Sequence, residues 1–415
     1  MICLWANDDG KYNRNEVRNA GFLLDESKDI RKIEREKEGS SEEVYNFVGF
    51  LTNKQGNILT VLPKNYRVND IEVDCKKVFS CIFQHFKKNQ RYYMSNKERF
   101  ASNYPFHLFF EIYNYYLTYG LYIEDKIFSK PNIGGKVNWK DTISKSNKYL
   151  IENNVVLYPI YYHKKNYFSN FITYCMIFVI DYTVEKFGFF IDAESTGQEM
   201  LEFDFIEQSD LVINTLHLFR QQTFKDRELD LIDNLILFFM NFESDSGGDN
   251  YYLKHYSFYS IWEDMVRVYL DNFYKQINKK NQIVFDKIPS KRLKFRKESF
   301  YINEAKPNWF IAPDYYCEDG DKQLIFDAKY YTEIKQMDYK QISYLFILKG
   351  LKTSSGPNIS KFSKTYSALI LPSDERRTEV HFQLDKNYNF SDEEFIITEE
   401  YLDIREVLSY YIQSH

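Results

Sequence analysis

Three charged residues in the C-terminal part of the chain have the types and spacing of a hydrolytic metal site. Asp314 follows a proline, and Asp327 and Lys329 stand two residues apart after a short apolar run. Side chains two apart in a strand point to one face, so Asp327 and Lys329 are expected to share a face. Two converging carboxylates would bind Mg²⁺, and a lysine beside them could orient or deprotonate a water and offset charge on a phosphate.

A β-hairpin is predicted to bring these residues together. Residues 309–311 and 324–326 are apolar and predict two strands, and residues 318–321 have the composition of a turn. Asp314 would then follow the first strand, and the segment from Asp327 to Lys329 would end the second. A solvated strand end with an ion pair explains an isolated Asp-x-Lys equally well, but the combination with Pro-Asp is more specific.

This stretch resembles the PD-(D/E)XK nuclease motif, with Pro313, Asp314, Asp327 and Lys329 at the matching positions. The wider chain resembles the LlaJI family of restriction endonucleases, relatives of McrC-type nuclease subunits. Segment 47–66 is similar to that family's N-terminal hairpin. The Gly-x-x-x-Trp-x-x-Thr pattern within 135–143 is similar to its central segment.

The resemblance implies a role for each matching residue. Asp314 and Asp327 would hold the metal together with the backbone carbonyl of Ala328, and Lys329 would position the attacking water. Gln341, in a helix predicted over 338–349, matches an element that follows the lysine in a subset of these nucleases and would support the site.

A third acidic residue is expected on the helix that precedes the hairpin. Apolar residues repeat at helical spacing over 255–273, and related nucleases often carry a glutamate on this helix near the metal. Glu263 falls just outside the apolar stripe, which fits either a metal ligand or an ordinary boundary charge. Asp264 is the fallback.

A basic segment lies between that helix and the hairpin. It contains no acidic residue and is predicted to contact DNA phosphates. The alternative is a solvated loop or a strand edge protected by charge. Its basic residues are Lys287, Lys291, Arg292, Lys294, Arg296 and Lys297.

Composition limits the class of protein and its partners. The 415 residues carry a formal net charge of −6, so any DNA contact must come from a local patch. The five cysteines and seven histidines follow no zinc spacing, and reduced thiols in the cytoplasm are expected. No signal peptide or membrane-spanning run is predicted, and no phosphate-binding loop of a nucleotide-hydrolysing motor is present in the sequence.

Two regions are predicted. Residues 1–243 would form an α+β region for specificity or partner contact, in which the charged stretch 25–43 is either a solvated helix or a mobile arm. Residues 244–249 read as a linker. Residues 250–415 would form an α/β nuclease domain of the PD-(D/E)XK type, a mixed sheet flanked by helices. A fragment from about Asn250 onward is therefore expected to fold and to keep the metal site.

These observations predict a DNA endonuclease of a restriction system that needs Mg²⁺, with Mn²⁺ as a substitute. The resemblance implies double-stranded DNA as substrate and a separate McrB-like GTPase motor as partner, and it leaves a homo-oligomer open. Three alternatives stay open: restriction directed by modified bases, a DNA-binding or motor-activating subunit with a vestigial nuclease site, and a non-nuclease α/β protein.

Overall fold

The structure, a computed structural model, describes most of the chain. The described residues are 2–34, 41–89, 99–132, 134–152, 154–242, 250–291, 293–350, 362–389 and 394–414. The predicted linker at 244–249 and Arg292 of the basic segment lie outside these residues.

Strands and helices are numbered in chain order. The strands are β1 Cys3–Asn7, β2 Ile30–Glu34, β3 Ser41–Tyr45, β4 Val48–Thr52, β5 Ile58–Leu62, β6 Phe100–Ser102, β7 Glu124–Pro131, β8 Asn147–Ile151, β9 Asn154–Tyr158, β10 Tyr161–Phe168, β11 Tyr252–His255, β12 Tyr274–Ile277, β13 Ile283–Phe285, β14 Tyr315–Asp319, β15 Lys322–Ala328, β16 Lys364–Ser373, β17 Arg377–Gln383 and β18 Ile396–Asp403. The helices are α1 Arg14–Asn19, α2 Ile71–Lys88, α3 Phe106–Tyr119, α4 Trp139–Lys145, α5 Phe171–Phe187, α6 Ser209–Gln222, α7 Asp226–Asn241, α8 Phe258–Phe273, α9 Tyr339–Lys349 and α10 Ile404–Gln413.

Contacts between residues divide the chain into two compact units. One unit comprises Met1–Tyr104, Phe189–Asp192 and Asp245–His415, and the other comprises Pro105–Gly188 and Ala193–Ser244. This division differs from the boundary at 243–250 predicted from the sequence, because the first 104 residues belong to the same unit as the C-terminal segment.

The first sheet of the larger unit explains that difference. Its strand order is β1-β5-β4-β11-β6, so β11, from the C-terminal segment, lies between β4 and β6. The approach is close at Gly49, where a Cβ atom would lie 1.9 Å from the carbonyl oxygen of Leu253. The β4–β5 hairpin predicted from the sequence is confirmed.

The second sheet of the same unit is mixed and has the order β14-β15-β16-β18-β17. β15, β16 and β18 are parallel, and β14 and β17 are antiparallel edge strands. The predicted helices over 255–273 and 338–349 are present as α8 and α9. The indole Nε1 of Trp262 in α8 donates to the carbonyl of Ile370 in β16 (3.3 Å), which fixes this helix against the sheet.

Three local predictions were wrong. The first hairpin strand is β14, over 315–319, and not 309–311, where Trp309 and Phe310 are exposed. Within the charged stretch 25–43, residues 30–34 form β2, which pairs with β3, rather than a helix or an arm, and residues 35–40 lie outside the described residues. The sequence also predicts one helix over 399–412, but residues 399–403 belong to β18 and the helix begins at Ile404.

The smaller unit consists mainly of helices and aromatic packing. Helices α3, α5, α6 and α7 pack around a core in which Phe178 stacks on Phe205 and Phe239. Two antiparallel hairpins, β7–β10 and β8–β9, belong to the same unit. Among the described residues of the whole chain, no helix combines the length and apolar character needed to cross a membrane.

The fragment 250–415 is expected not to fold on its own. Without the first 104 residues β11 loses both of its sheet neighbours, and the apolar surface of α8 that faces α2 is exposed. Circular dichroism during heating should show a cooperative transition for the full chain and none for the fragment. A cooperative transition in the fragment would contradict this expectation and support a domain boundary at 243–250.

Candidate active site

The register of the β14–β15 hairpin brings two carboxylates together. Tyr315 pairs with Phe326, so Asp314, just before β14, lies beside Asp327 near the end of β15. The backbone N–H of Ala328 donates to Asp314 Oδ2 (3.1 Å). Asp314 therefore precedes its strand and does not follow one, yet it reaches the predicted neighbour because the two strands are antiparallel.

Both carboxylates line a cavity of about 430 Å³ together with Lys329, Ala328 and Glu263. Burial raises the pKa of Asp314, and the neighbouring charge of Asp327 raises it further. Burial also raises the pKa of Glu263, and the charge of Asp314 adds to that effect. The three acidic side chains are thus close enough for the charge of Asp327 to disfavour ionisation of Asp314, and for the charge of Asp314 to disfavour ionisation of Glu263.

Lys329 is fixed between two carboxylates. Its Nζ lies 2.8 Å from Asp327 Oδ2 and 2.9 Å from Asp338 Oδ2, and its side chain is only 13% exposed. Burial disfavours the ammonium, but the charges and hydrogen bonds of the two carboxylates outweigh burial and raise the pKa of Lys329. The lysine is therefore held as a cation on the face that it shares with Asp327.

Helix α8 positions Glu263 at the cavity. The hydroxyl of Tyr315 donates to the backbone carbonyl of Glu263 (2.7 Å), which ties this turn of the helix to β14. The fallback residue Asp264 turns away, where it accepts a hydrogen bond from Tyr411 (2.5 Å) and pairs with Lys88 (3.5 Å). Of the two candidates, Glu263 is the one that lines the cavity with the carboxylate pair.

Gln341 is buried beneath the strands and does not line the cavity. Its Nε2 donates to the carbonyl of Ile325 in β15 and to Ser367 Oγ in β16, each at 2.9 Å. It therefore joins the two strands and can act on the site only by positioning β15. Its neighbour Lys340, which the sequence did not indicate, lines the cavity. The Nζ of Lys340 lies 3.1 Å from Asp327 Oδ1.

The N-terminal segment supplies a wall of the same cavity that the sequence analysis also missed. Asp8, Arg31 and Lys64 lie there. Lys64 connects this wall to Tyr330, the residue that follows Lys329. The backbone N–H of Lys64 donates to the hydroxyl of Tyr330 (2.9 Å), and its Nζ donates to the carbonyl of Tyr330 (3.1 Å). No local motif marks Asp8 or Arg31, and the resemblance over 47–66 gives Lys64 no role, because sheet packing places all three at the cavity.

The basic segment reaches the cavity at one end. Lys297 lines the cavity and lies 3.4 Å from Asp314 Oδ1, with its side chain 63% exposed. Lys287, Lys291 and Lys294 are exposed earlier in the same segment and do not line the cavity. Arg296 is exposed and is paired with Glu298.

The donor set fits a hard divalent cation. Carboxylate and carbonyl oxygens are the ligands that Mg²⁺ prefers, and a cation would relieve the repulsion between Asp314 and Asp327. Asp314, Asp327, the carbonyl of Ala328 and Glu263 could hold it. In the described part of the chain, no group of three or more acidic, histidine or cysteine side chains is already arranged around a metal position, so side chains here would have to shift.

Comparison with known proteins gives one match over most of the chain. The sequence model of the family described as LlaJI restriction endonuclease matches residues 47–414. The matched range includes β4, the carboxylate pair, Lys329 and α9, but not Asp8 or Arg31. A search of curated proteins finds no match.

The buried carboxyl of Asp8 is expected to make the free energy of unfolding depend on pH. Burial raises its pKa from 3.8 to about 6, so the folded state favours the neutral carboxyl. The contribution of neutral Asp8 to the free energy of unfolding is fully present below pH 3.8 and is lost as the pH rises through about 6. Asp8→Asn should therefore stabilise the protein by up to about 3 kcal/mol at pH 8 and have little effect at pH 4.

Urea unfolding at both pH values measures this difference. The exposed Asp374 provides the control, because Asp374→Asn should leave the free energy of unfolding nearly unchanged at either pH. An equal effect of Asp8→Asn at pH 4 and pH 8 would contradict the prediction.

Proposed function

Since the chain belongs to the LlaJI restriction endonuclease family, we propose that it cleaves double-stranded DNA at this cavity in a magnesium-dependent reaction. Membership of this family indicates that the chain is a restriction nuclease and therefore a hydrolase. One observation carries the finer proposal: Asp314, Asp327 and Lys329 converge in one cavity, from opposite strands of one hairpin.

We also assign the second sheet to the PD-(D/E)XK class. The assignment is supported by a mixed sheet in which an antiparallel hairpin carries the acidic residues and parallel strands β16 and β18 follow. Helix α9 packs on β15 and β16, and its Gln341 braces those two strands from below. This architecture places the adjacent ends of the hairpin strands at the cavity.

The side chains divide the work of phosphodiester hydrolysis. Asp314, Asp327 and the Ala328 carbonyl would hold the cation, with Glu263 as a further ligand. When bound, magnesium supplies positive charge that stabilises the charge developing on the phosphate. The ammonium of Lys329, fixed by Asp338, donates hydrogen bonds to the attacking water and the phosphate, and the raised pKa favours this orienting role over proton removal.

The biological setting is proposed on the resemblance to McrC-type subunits. The chain would act in the cytoplasm on foreign DNA, with a separate McrB-like GTPase as motor. The sequence supports this division of labour because it contains no Gly-x-x-x-x-Gly-Lys-Ser/Thr loop of its own. Mn²⁺ should replace Mg²⁺, because both are bound by carboxylate and carbonyl oxygens.

Asp327→Asn and Lys329→Met should each lower the rate of DNA cleavage by at least about 10²-fold, because each removes a group that stabilises the transition state. Plasmid cleavage in Mg²⁺ measures the rate, with the motor subunit and GTP present if the chain requires them. Melting curves should show that both variants remain folded.

Two surface residues provide matched controls for these substitutions. Asp319→Asn, at the far end of the hairpin, and Lys335→Met, whose lysine pairs with the exposed Glu333, should cleave at the wild-type rate. Wild-type cleavage that continues in excess chelator would contradict the metal-dependent mechanism.

The exposed lysines of the basic segment should contribute to DNA affinity without sequence preference. Changing Lys287, Lys291 and Lys294 to Ala should weaken binding of all duplexes about equally. The slope of log K against log salt should become shallower by about 2–3, because each lost phosphate contact removes about 0.9. Fluorescence anisotropy over a salt series measures this slope.

A control of equal charge comes from three exposed lysines elsewhere on the chain. Lys28, Lys54 and Lys386 lie outside the basic segment, and their replacement by Ala should leave the slope near the wild-type value. If both triple variants had the wild-type slope, the basic segment would be a solvated edge.

A further inference from the structure

Every oxygen of the carboxylate pair already has a positively charged or N–H partner. Asp314 Oδ1 lies 3.4 Å from Lys297 Nζ, and its Oδ2 accepts from the N–H of Ala328 (3.1 Å). Asp327 Oδ1 lies 3.1 Å from Lys340 Nζ, and its Oδ2 lies 2.8 Å from Lys329 Nζ. A cation that binds these oxygens must therefore displace at least one of the existing partners.

The three lysines differ in how easily they can leave. Lys329 is 13% exposed and is held at both sides by Asp327 and Asp338. The side chains of Lys297 and Lys340 are 63% and 51% exposed. The carboxylates of these pairs are only 10% and 2% exposed, but each ammonium already reaches water, so water solvates it on release and side-chain freedom is regained. A divalent cation would thus displace Lys297 and Lys340 first.

These two lysines reach the cavity from different elements. Lys297 ends the basic segment, which pairs with β14 through the bridge between Arg296 and Tyr316. Lys340 lies in the first turn of α9, whose N-terminus is capped by Asp338. Both line the cavity that contains the carboxylates, so a phosphate bound beside those carboxylates would lie within reach of both released side chains.

We propose that Lys297 and Lys340 form a phosphate-binding pair that the catalytic carboxylates hold until a divalent cation binds. The cation takes the carboxylate oxygens, and the two ammonium groups transfer to phosphates of the DNA strand at the cavity. This inference rests on the proposed nuclease function. It adds an exchange in which the two ammonium groups leave the carboxylates for phosphates, and the resemblance to PD-(D/E)XK nucleases does not imply that exchange.

The exchange makes cation and DNA binding mutually dependent. The cation frees the lysines for phosphates and so raises DNA affinity. By linkage, DNA that draws the lysines away raises the affinity for the cation by the same factor. A purely electrostatic role of the lysines gives the opposite trend: without them the cavity is more negative, and DNA binding should depend on the cation as much as before or more.

The test measures this dependence in the full-length chain with Ca²⁺, a hard cation that prefers the same oxygen ligands. Fluorescence anisotropy gives the dissociation constant of a short duplex with and without Ca²⁺. In the wild type Ca²⁺ should raise DNA affinity about tenfold or more. In the double variant Lys297→Met, Lys340→Met the enhancement should fall at least about threefold below the wild-type value.

The double variant Lys335→Met, Lys386→Met, at two exposed lysines outside the cavity lining, is the control of equal charge change and should keep the wild-type enhancement. Calorimetric titration of the DNA-free proteins with Mn²⁺ gives a second readout, in which the double variant should bind Mn²⁺ more tightly because two competing ammonium groups are gone. An unchanged or larger Ca²⁺ enhancement in the double variant would overturn the exchange.

The same titrations separate this inference from the proposed function. If Mn²⁺ binds wild type and Asp327→Asn equally, the metal site itself is wrong, and the proposed function fails with it. If Mn²⁺ binding requires Asp327 and the DNA is cleaved, but the double variant keeps the wild-type enhancement, then only the exchange fails.

Discussion

Repulsion between Asp314 and Asp327 is the constraint on which the rest of the site depends. The hairpin register places the two carboxylates side by side in a partly buried cavity, where like charges are costly. Three lysines from three different segments offset that charge, and each lies within hydrogen-bonding or ion-pair distance of a carboxylate oxygen. The carboxylate pair is thus offset by positive groups of the chain itself, and the same groups would attract a phosphate.

The residue after the lysine extends the site into the first sheet. Lys329 faces the cavity carboxylates, while the adjacent Tyr330 is buried and bonded at both its hydroxyl and its carbonyl to Lys64. Because these contacts lie next to the end of β15, displacement of the N-terminal sheet would displace Lys329. Lys64 is thus part of the scaffold of the candidate site, and the family match over residues 47–414 includes both Lys64 and Tyr330.

Buried acidic residues explain why one central strand was missed. The sequence predicts one helix over 399–412, whereas Glu399 and Glu400 are buried in β18, and carboxylates are seldom buried without partners. In the folded chain Glu399 pairs with His381 (2.7 Å), and Glu400 accepts hydrogen bonds from Thr378 (2.7 Å) and from the backbone N–H of Ile283 (3.0 Å). These partners are distant in sequence, so local composition could not reveal them.

The sequence by itself determined the pieces whose cause is local. Apolar spacing identified α8, the helix predicted over 338–349 is α9, and Gly320 marked the hairpin turn. The spacing of two at the end of β15 put Asp327 and Lys329 on one face. Only the tertiary structure decided which strand carries Asp314, which of Gln341 and Lys340 faces the cavity, and that Asp8, Arg31 and Lys64 line it. The physical reason is that hydrogen-bond register, helix rotation and sheet-to-sheet packing are set by contacts between residues far apart in the chain, and a short motif contains no record of those contacts.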